Sequence, residues 1–278
     1  MMNKVIVIPC YRDTMEGTEE ASLIQCSKIF GGRRDIVLAV PEKLDCSLYL
    51  KIIPSARIER FDDKFFVSVS SYSHLLLTPA FYQRFSDYDY MLIYQLDAWV
   101  FRDELDKWCA KGYEYIGAPF LLKNGRYEKI IVGNGGFSLR RIDAMLRVLQ
   151  HPQAKMFPAE LLWDFIRCYA GCGRYLRILV PLLKLAGLLP NTRGAYLEKI
   201  RYEKDNSEDM VFHFLSRQYT KDGLTMPDIK EAALFSIDKE PVCDVAELPF
   251  GCHAWMKGRA SFWKKYIPAL TENLPENV

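Results

Sequence analysis

The sequence lacks the features that would assign it at once to a zinc-finger, redox or membrane class. Its eight cysteines include no C-x-x-C pair, so the spacing of common zinc sites and thioredoxin-like motifs is absent. The longest stretch without a charged residue, 65–83, contains serines, a histidine and a proline and is too polar to span a bilayer. We therefore expect reduced, mostly buried thiols and no transmembrane helix.

An excess of one charge and a long N-terminal apolar run are also missing. The 37 basic and 35 acidic residues leave a formal net charge of +2, which provides no broad positive field for nucleic acid. The first apolar stretch is interrupted by Pro9 and Arg12 and is too short for the core of a signal peptide. We expect a cytoplasmic protein that binds no nucleic acid.

What the sequence does contain is the alternation of an α/β protein. Half of the residues are hydrophobic and 26% are charged, as in globular domains. Apolar, β-branched runs at Lys4–Pro9, Asp35–Val40 and Tyr90–Leu96 predict buried strands, Tyr115–Gly117 predicts a shorter one, and Thr18–Phe30 predicts a helix. The pattern indicates a twisted, mainly parallel sheet flanked by helices, which binds ligands beyond the carboxyl ends of its strands.

Helical periodicity dominates the second half, at Ile142–Leu149, Ala159–Tyr169 and Arg174–Leu189. We interpret the chain as one domain, 1–278, with a helical insertion at about 157–197. Basic residues beside a broad apolar face in 174–189 suit peripheral contact with the inner face of a membrane. Burial against the protein's own core, or against a dimer partner, fits the same pattern at least as well.

A carboxylate follows the predicted strand of the segment IYQLDAWVF. Because side chains alternate along a strand, Gln95 and Asp97 are expected on one face and Leu96 on the other. A carboxylate at this edge is a natural ligand for Mg²⁺ or Mn²⁺, which commonly bridge protein carboxylates and a diphosphate. The alternative is that Asp97 only caps the turn before Trp99.

The segment GNGGFSLR, 133–140, holds three glycines within four residues. Such backbone allows a ligand to approach closely, so a flat ligand such as a sugar ring could lie there. The segment is neither a dinucleotide fingerprint nor a P-loop. The alternative is a tight hairpin turn before the strand FSL.

Two further segments carry candidate catalytic or metal-binding groups. Glu208 and Asp209 follow Ser207 at the start of a predicted helix, and either carboxylate could act as a general base toward a hydroxyl; ordinary helix-terminal charge is the alternative. His253, in LPFGCHAW, could ligate a Mn²⁺-type metal or could simply be packed.

The segment from Phe66 to Phe120, followed by N-G-G-F-S, resembles an uncharacterised family of glycosyltransferase-like proteins with Q-L-D and N-G-G-F-S motifs. The likeness is specific over about 61–141 and weaker elsewhere. It implies a GT-A-like fold, with a nucleotide-binding half at 1–120 and an acceptor-side half at 121–278. It implies that Asp97 is the last aspartate of a D-x-D metal motif, that His253 completes the metal shell, and that Glu208 or Asp209 is the base. Donor-binding residues implied in this way are Pro9, Tyr11, Arg12, Gln95, Asp97, Asn134, Gly135 and Gly136, with Cys10 beside the first of them.

Gln95 departs from that motif, because a neutral amide replaces its first aspartate. Either Asp97 and His253 hold Mn²⁺ or Mg²⁺ together with the diphosphate, or Gln95 binds the ribose and a basic residue, Arg12 or Lys257, replaces the metal. We favour a metal.

The resemblance implies a hexosyltransferase-type enzyme. It would move a sugar from a nucleotide-diphosphate donor to a hydroxyl of a glycan or lipid-linked acceptor, in bacterial surface polysaccharide synthesis. The alternatives are a metal-dependent nucleotide-sugar hydrolase and a non-catalytic sugar-binding or nucleotide-binding module.

Overall fold

The computed structural model describes residues 2–124, 127–150, 207–217, 222–242, 247–257 and 260–269. The first half contains β1 (Lys4–Pro9), α1 (Gly17–Phe30), β2 (Asp35–Pro41), α2 (Ser47–Ile52), β3 (Arg57–Phe61), a 3₁₀ turn (Asp63–Phe66), α3 (Val69–Leu76) and α4 (Pro79–Gln83). It continues with β4 (Tyr90–Tyr94), β5 (Ala98–Val100), α5 (Leu105–Ala110), β6 (Tyr115–Asn124), β7 (Tyr127–Arg141) and α6 (Ile142–Gln150). The remaining described elements are α7 (Glu208–Phe214), α8 (Ile229–Phe235), β8 (Ser236–Asp238), β9 (Gly251–His253) and α9 (Ala260–Trp263).

A six-stranded sheet in the order β3-β2-β1-β4-β7-β6 forms the centre of the molecule. The first four strands of that order are parallel, and β7 pairs antiparallel with both β4 and β6. The α/β class and the mainly parallel sheet are therefore confirmed. Residue 120, the predicted boundary between two halves, lies inside β6.

Alternating side chains build a hydrophobic core on each face of this sheet. Val5 and Val7 pack on one face with residues of α3, α4, α6 and α7. Ile6 and Ile8 pack on the other face with residues of α1, α2 and α5. Burial on both faces explains why these strands are continuous apolar runs rather than alternating ones.

A second, three-stranded sheet, β5-β9-β8, lies beside the carboxyl end of β4. Its strands have only three residues each, and Trp99, Trp255 and Trp263 pack into one cluster around it. This small sheet positions His253 and Asp238, which close β9 and β8.

Three local predictions are corrected by the structure. β4 ends at Tyr94, two residues before the predicted end. β6 extends well past Gly117, because its long antiparallel partner β7 pairs with it on both sides of a bulge. Gly133–Arg140 is not a hairpin turn, since it lies within β7.

The helical insertion at 157–197 and the membrane contact at 174–189 lie outside the described residues. Within the part that is described, no helix is long and apolar enough to cross a membrane. Cys10, Cys26, Cys46, Cys109 and Cys252 are free and buried, as expected.

Candidate active site

The candidate site lies at the carboxyl edge of the large sheet, between β1 and β4. From β1 the chain moves to β2 and β3 on one side, and β4 then joins β1 on the other side. This reversal is a topological switch point, the place where open α/β sheets form a ligand crevice. The pairing of Val7 with Ile93 brings the residues after β1 and those after β4 to this edge together.

Gln95 and Asp97 reach the site from a turn rather than from a strand. The amide of Ala98 donates to the carbonyl of Gln95 at 2.8 Å, which closes a tight turn between β4 and β5. The prediction that strand alternation puts the two side chains on one face was therefore wrong, because the two residues lie in a turn and not in a strand. The turn nevertheless brings both side chains to the same partner, the ring of His253.

His253 is the centre of a group that we call the His253 cluster: His253, Asp97, Asp238, Gln95 and Lys257. Its Nε2 lies 3.0 Å from Asp97 Oδ1 and 3.2 Å from Gln95 Oε1. Its Nδ1 lies 2.9 Å from Asp238 Oδ1. Lys257 Nζ donates to the other Asp97 oxygen at 3.0 Å.

Charge pairing changes the proton affinities in this cluster. Burial would lower the pKa of His253, but hydrogen bonds to Asp238 and Asp97 outweigh it and raise the pKa to about 9. Burial would raise the pKa of Asp97, but His253 and Lys257 hold it well below its usual range. The Asp97 side chain keeps 29% of its surface exposed, so this carboxylate is ionised and accessible to a ligand.

Backbone strain sits next to this cluster. Among the described residues, the non-glycine positions with positive φ are Lys239 at 58° and Ala254 at 49°, and each directly follows a cluster residue. A left-handed conformation costs an ordinary residue about 1–2 kcal/mol. Such strain gathers at functional sites, where the surrounding structure holds it in place.

The donor atoms of this cluster suit a divalent cation. The described residues contain no group of three or more His, Cys, Asp or Glu side chains arranged as a metal site; here two such side chains are joined by the Gln95 amide. Neighbouring ligands at right angles on bonds of about 2.1 Å lie about 3.0 Å apart. The separations of 3.0 and 3.2 Å around Nε2 are ordinary hydrogen-bond lengths that are also compatible with that spacing, and imidazole and carboxylate oxygen are Mn²⁺ ligands.

Protein side chains fill the space beside the two glycines of the N-G-G segment. β7 bulges here, since Gly117 pairs with Ser138 and the next residue of β6 pairs with Asn134. A Cβ on Gly135 would overlap the Glu208 carboxylate, and a Cβ on Gly136 would overlap the His253 ring. The close approach predicted for a sugar is thus made by two protein side chains, one on each of two consecutive glycines.

The side chain beside Gly135 is that of Glu208, which belongs to a second group. We call this group the Arg140 cluster: Arg140, Glu208, Ser73, Tyr82 and Ser138. Arg140 is fully buried and donates to Glu208 Oε1, Tyr82 Oη and Ser138 Oγ, each at 3.0 Å. Ser73 Oγ donates to the other Glu208 oxygen at 3.0 Å. Both Glu208 oxygens are bonded to protein groups and the side chain is only 7% exposed, so this carboxylate has a structural role in the bulge.

Asp209 differs sharply from its neighbour. It is partly exposed, and its carboxylate accepts from Ser207 Oγ and from the amide of Met210. Burial and the charge of Glu208 raise the pKa of Asp209 to about 6, against hydrogen bonds that include the amide of Gly135. Asp209 is therefore the better general base of the two carboxylates named from the sequence.

The predicted donor residues after β1 lie at the same edge. Pro9 is buried, whereas Tyr11 is 56% exposed. Arg12 stacks on the Tyr11 ring and pairs with Glu19, so its charge is already partnered within the protein. Asn134 is partly buried, and its Oδ1 accepts from the amide of Gly136 at 3.1 Å, which stabilises the bulge.

Sequence reasoning missed Asp238 and Arg140. Asp238 ends a three-residue strand with no recognisable motif, and only the pairing of β8 with β9 brings it to His253. Arg140 ends the GNGGFSLR segment, yet its side chain is buried rather than exposed. A separate cavity of about 310 Å³, lined by residues that include Gly32, Arg34 and Arg57, lies at the opposite edge of the sheet.

Comparison with known proteins assigns a family. Residues 55–253 match the model of the family described as protein of unknown function (DUF5672), and the chain belongs to that family. No curated protein sequence matches the chain. Among solved structures, it is similar to the crystal structure of 4-diphosphocytidyl-2C-methyl-D-erythritol synthase at 11% identity and a TM-score of 0.34, over 54% of this chain and 80% of that one. A likeness of this size is too small to assign a function.

Proposed function

We propose that the protein is a glycosyltransferase that moves a sugar from a nucleotide-diphosphate donor to a hydroxyl acceptor. The observation that carries the proposal is the accessible, ionised Asp97 beside His253 at the switch point of the sheet. The resemblance of residues 61–141 to GT-A-like proteins also supports this proposal. We further propose that the acceptor is a glycan or a lipid-linked molecule.

Asp97, His253 and Gln95 would hold Mn²⁺ or Mg²⁺ against the diphosphate. A cation bound there would neutralise the charge that develops on the leaving nucleoside diphosphate. The exposed ammonium of Lys257, 66% exposed, adds positive charge beside Asp97. Together these groups favour breaking of the bond between the sugar and the diphosphate.

Asp209 would act on the acceptor. Its pKa of about 6 leaves it mostly ionised at neutral pH, while its proton affinity stays high enough for a base. As the acceptor oxygen bonds to the anomeric carbon, Asp209 takes the hydroxyl proton. The sugar–phosphate bond electrons leave with the nucleoside diphosphate. Asp209 and His253 lie against the consecutive glycines Gly135 and Gly136, and this proximity supports a base acting beside the diphosphate.

Ligand-induced thermal stabilisation tests the donor. We expect a UDP-sugar or a GDP-sugar with Mn²⁺ to raise the unfolding temperature, because binding to the native state stabilises it, whereas a CMP-sugar, which lacks a diphosphate, should not. Asp97→Asn should lose the shift. Asp106→Asn, which removes a carboxylate paired with Arg34 and Lys4 at the opposite edge, should keep it.

Turnover separates the candidate functions. A transferase releases nucleoside diphosphate at full rate only when a hydroxyl acceptor is present. Full release without any acceptor indicates the hydrolase alternative. A thermal shift without consumption of the donor indicates a non-catalytic binding module and contradicts the proposal.

A further inference from the structure

We infer that Asp238 is a positioning residue: it holds the Nδ1 proton of His253 so that Nε2 faces Asp97 and Gln95 as a cation ligand. The inference rests on the proposed function, because the ligand that Nε2 would meet is the divalent cation of the donor site. It concerns a residue that neither the motifs nor the family match singles out.

The contact between Asp238 and His253 fixes the ring. Asp238 is only 9% exposed, and its Oδ1 lies 2.9 Å from Nδ1. A carboxylate oxygen at this distance accepts the hydrogen bond, so the proton of this contact lies on Nδ1. Once its proton is displaced, Nε2 is then the nitrogen available to a metal, the arrangement by which an outer carboxylate orients a ligating histidine.

The opposite side of the ring supports the same assignment. Nε2 is faced by two oxygens, Asp97 Oδ1 at 3.0 Å and Gln95 Oε1 at 3.2 Å. One proton on Nε2 can satisfy only one of these acceptors well. A divalent cation satisfies the nitrogen and both oxygens together.

The backbone holds Asp238 and Asp97 on opposite sides of His253. Asp238 and His253 are direct partners in the β8–β9 ladder. The amide of Lys239 donates to the carbonyl of His253 at 2.9 Å, and the amide of Ala254 donates to the carbonyl of Asp97 at 2.8 Å. These bonds are made by the two left-handed residues, so the strained backbone ties the three side chains into one rigid unit.

Direct Mn²⁺ binding tests the inference without any turnover. Free Mn²⁺ is measured by electron paramagnetic resonance for the unmodified protein and for Asp238→Asn. The amide can donate to Nδ1 and shift the proton to Nε2, so we expect Mn²⁺ affinity to fall about 10–100-fold. Glu114→Gln is the matched control: it alters another buried carboxylate, one paired with Arg147, and should bind Mn²⁺ normally.

Unchanged Mn²⁺ affinity in Asp238→Asn would overturn the positioning role and leave the proposed transferase standing. No Mn²⁺ binding by the unmodified protein would overturn both this inference and the cation in the proposed function; donor consumption would then decide whether a metal-independent transferase remains.

A second measurement needs no substitution at Asp238. The ¹⁵N shifts of the imidazole in the Mg²⁺-loaded protein report which ring nitrogen is protonated, and loss of the signal in His253→Gln identifies the residue. A proton on Nδ1 supports the inference, and a proton on Nε2 overturns it.

Discussion

The Arg140 cluster and the His253 cluster lie on the two consecutive glycines of one bulge, yet they treat charge in opposite ways. In the Arg140 cluster, the guanidinium of Arg140 and both carboxylate oxygens of Glu208 are buried and hydrogen-bonded to protein groups. In the His253 cluster, Asp97 is partly exposed and Lys257 is largely exposed.

This difference separates a structural cluster from a candidate ligand site. A buried ion pair must be fully hydrogen-bonded to be tolerated, and it then holds a unique arrangement. A site that binds ligands must instead keep ionised groups accessible, at some cost in stability. The charge of the Arg140 cluster also affects Asp209, because Glu208 helps to raise the pKa of Asp209.

We expect the largest effect from a substitution in the Arg140 cluster, on the stability of the protein. Glu208→Gln leaves Arg140 buried without its anionic partner, and we expect the free energy of unfolding to fall by about 3–5 kcal/mol, measured by urea denaturation. Asp106→Asn, at a surface pair, should change it by less than about 1 kcal/mol. Equal effects from the two substitutions would contradict the distinction between buried and exposed charge.

The next effect is on catalysis. Asp209→Asn should lower turnover about 10²–10⁴-fold, as expected for loss of a general base. In the unmodified protein, kcat/KM should rise with pH through about 6, the pKa of Asp209. A carboxyl whose pKa is raised on folding destabilises the native state as pH rises through that range, so the variant should unfold at higher urea at pH 7. Undiminished turnover would remove Asp209 from the mechanism.

Alanine substitutions at Gly135 and Gly136 should have different effects. Gly135→Ala pushes a methyl group against Glu208, and we expect a stability loss of about 1–3 kcal/mol. Gly136→Ala pushes one against the His253 ring and should mainly abolish Mn²⁺ binding and the donor-dependent thermal shift. If Gly136→Ala keeps both Mn²⁺ binding and the thermal shift, the position of His253 does not depend on the space beside Gly136.

The smallest effect is on the pH dependence of stability in cation-free buffer. The pKa of His253 is raised from 6.5 to about 9, so its contribution is complete below pH 6.5 and is lost as pH rises through 9. We expect the free energy of unfolding to fall by about 2 kcal/mol from pH 7 to pH 9.5. His253→Gln should remove this slope, and an identical slope in the variant would assign it to other groups.

Much of the large sheet could be predicted from local sequence. β1 and β2 are unbroken β-branched runs, and such runs are stable mainly when both faces are covered. β3, Arg57–Phe61, was not predicted, because its edge position leaves most of its residues only partly buried and allows two arginines and a glutamate. The antiparallel direction of β7 was also missed, since strand direction depends on distant connections.

The candidate site was predicted only in part. Asp97 and His253 were named as partners, and they lie 3.0 Å apart. The glycines were assigned to a ligand, whereas Glu208 and His253 occupy their free space. Nothing in adjacent positions distinguishes Glu208 from Asp209, because the difference comes from Arg140, which lies 68 residues away in sequence.

The sequence by itself determined the α/β class, the buried strands and the presence of a carboxylate just after β4, because these follow from residue type and apolar runs within short windows. Only the tertiary structure decided which carboxylates are closed off and which remain accessible. That distinction depends on partners such as Arg140 and Asp238, which non-local strand and helix packing brings together through space.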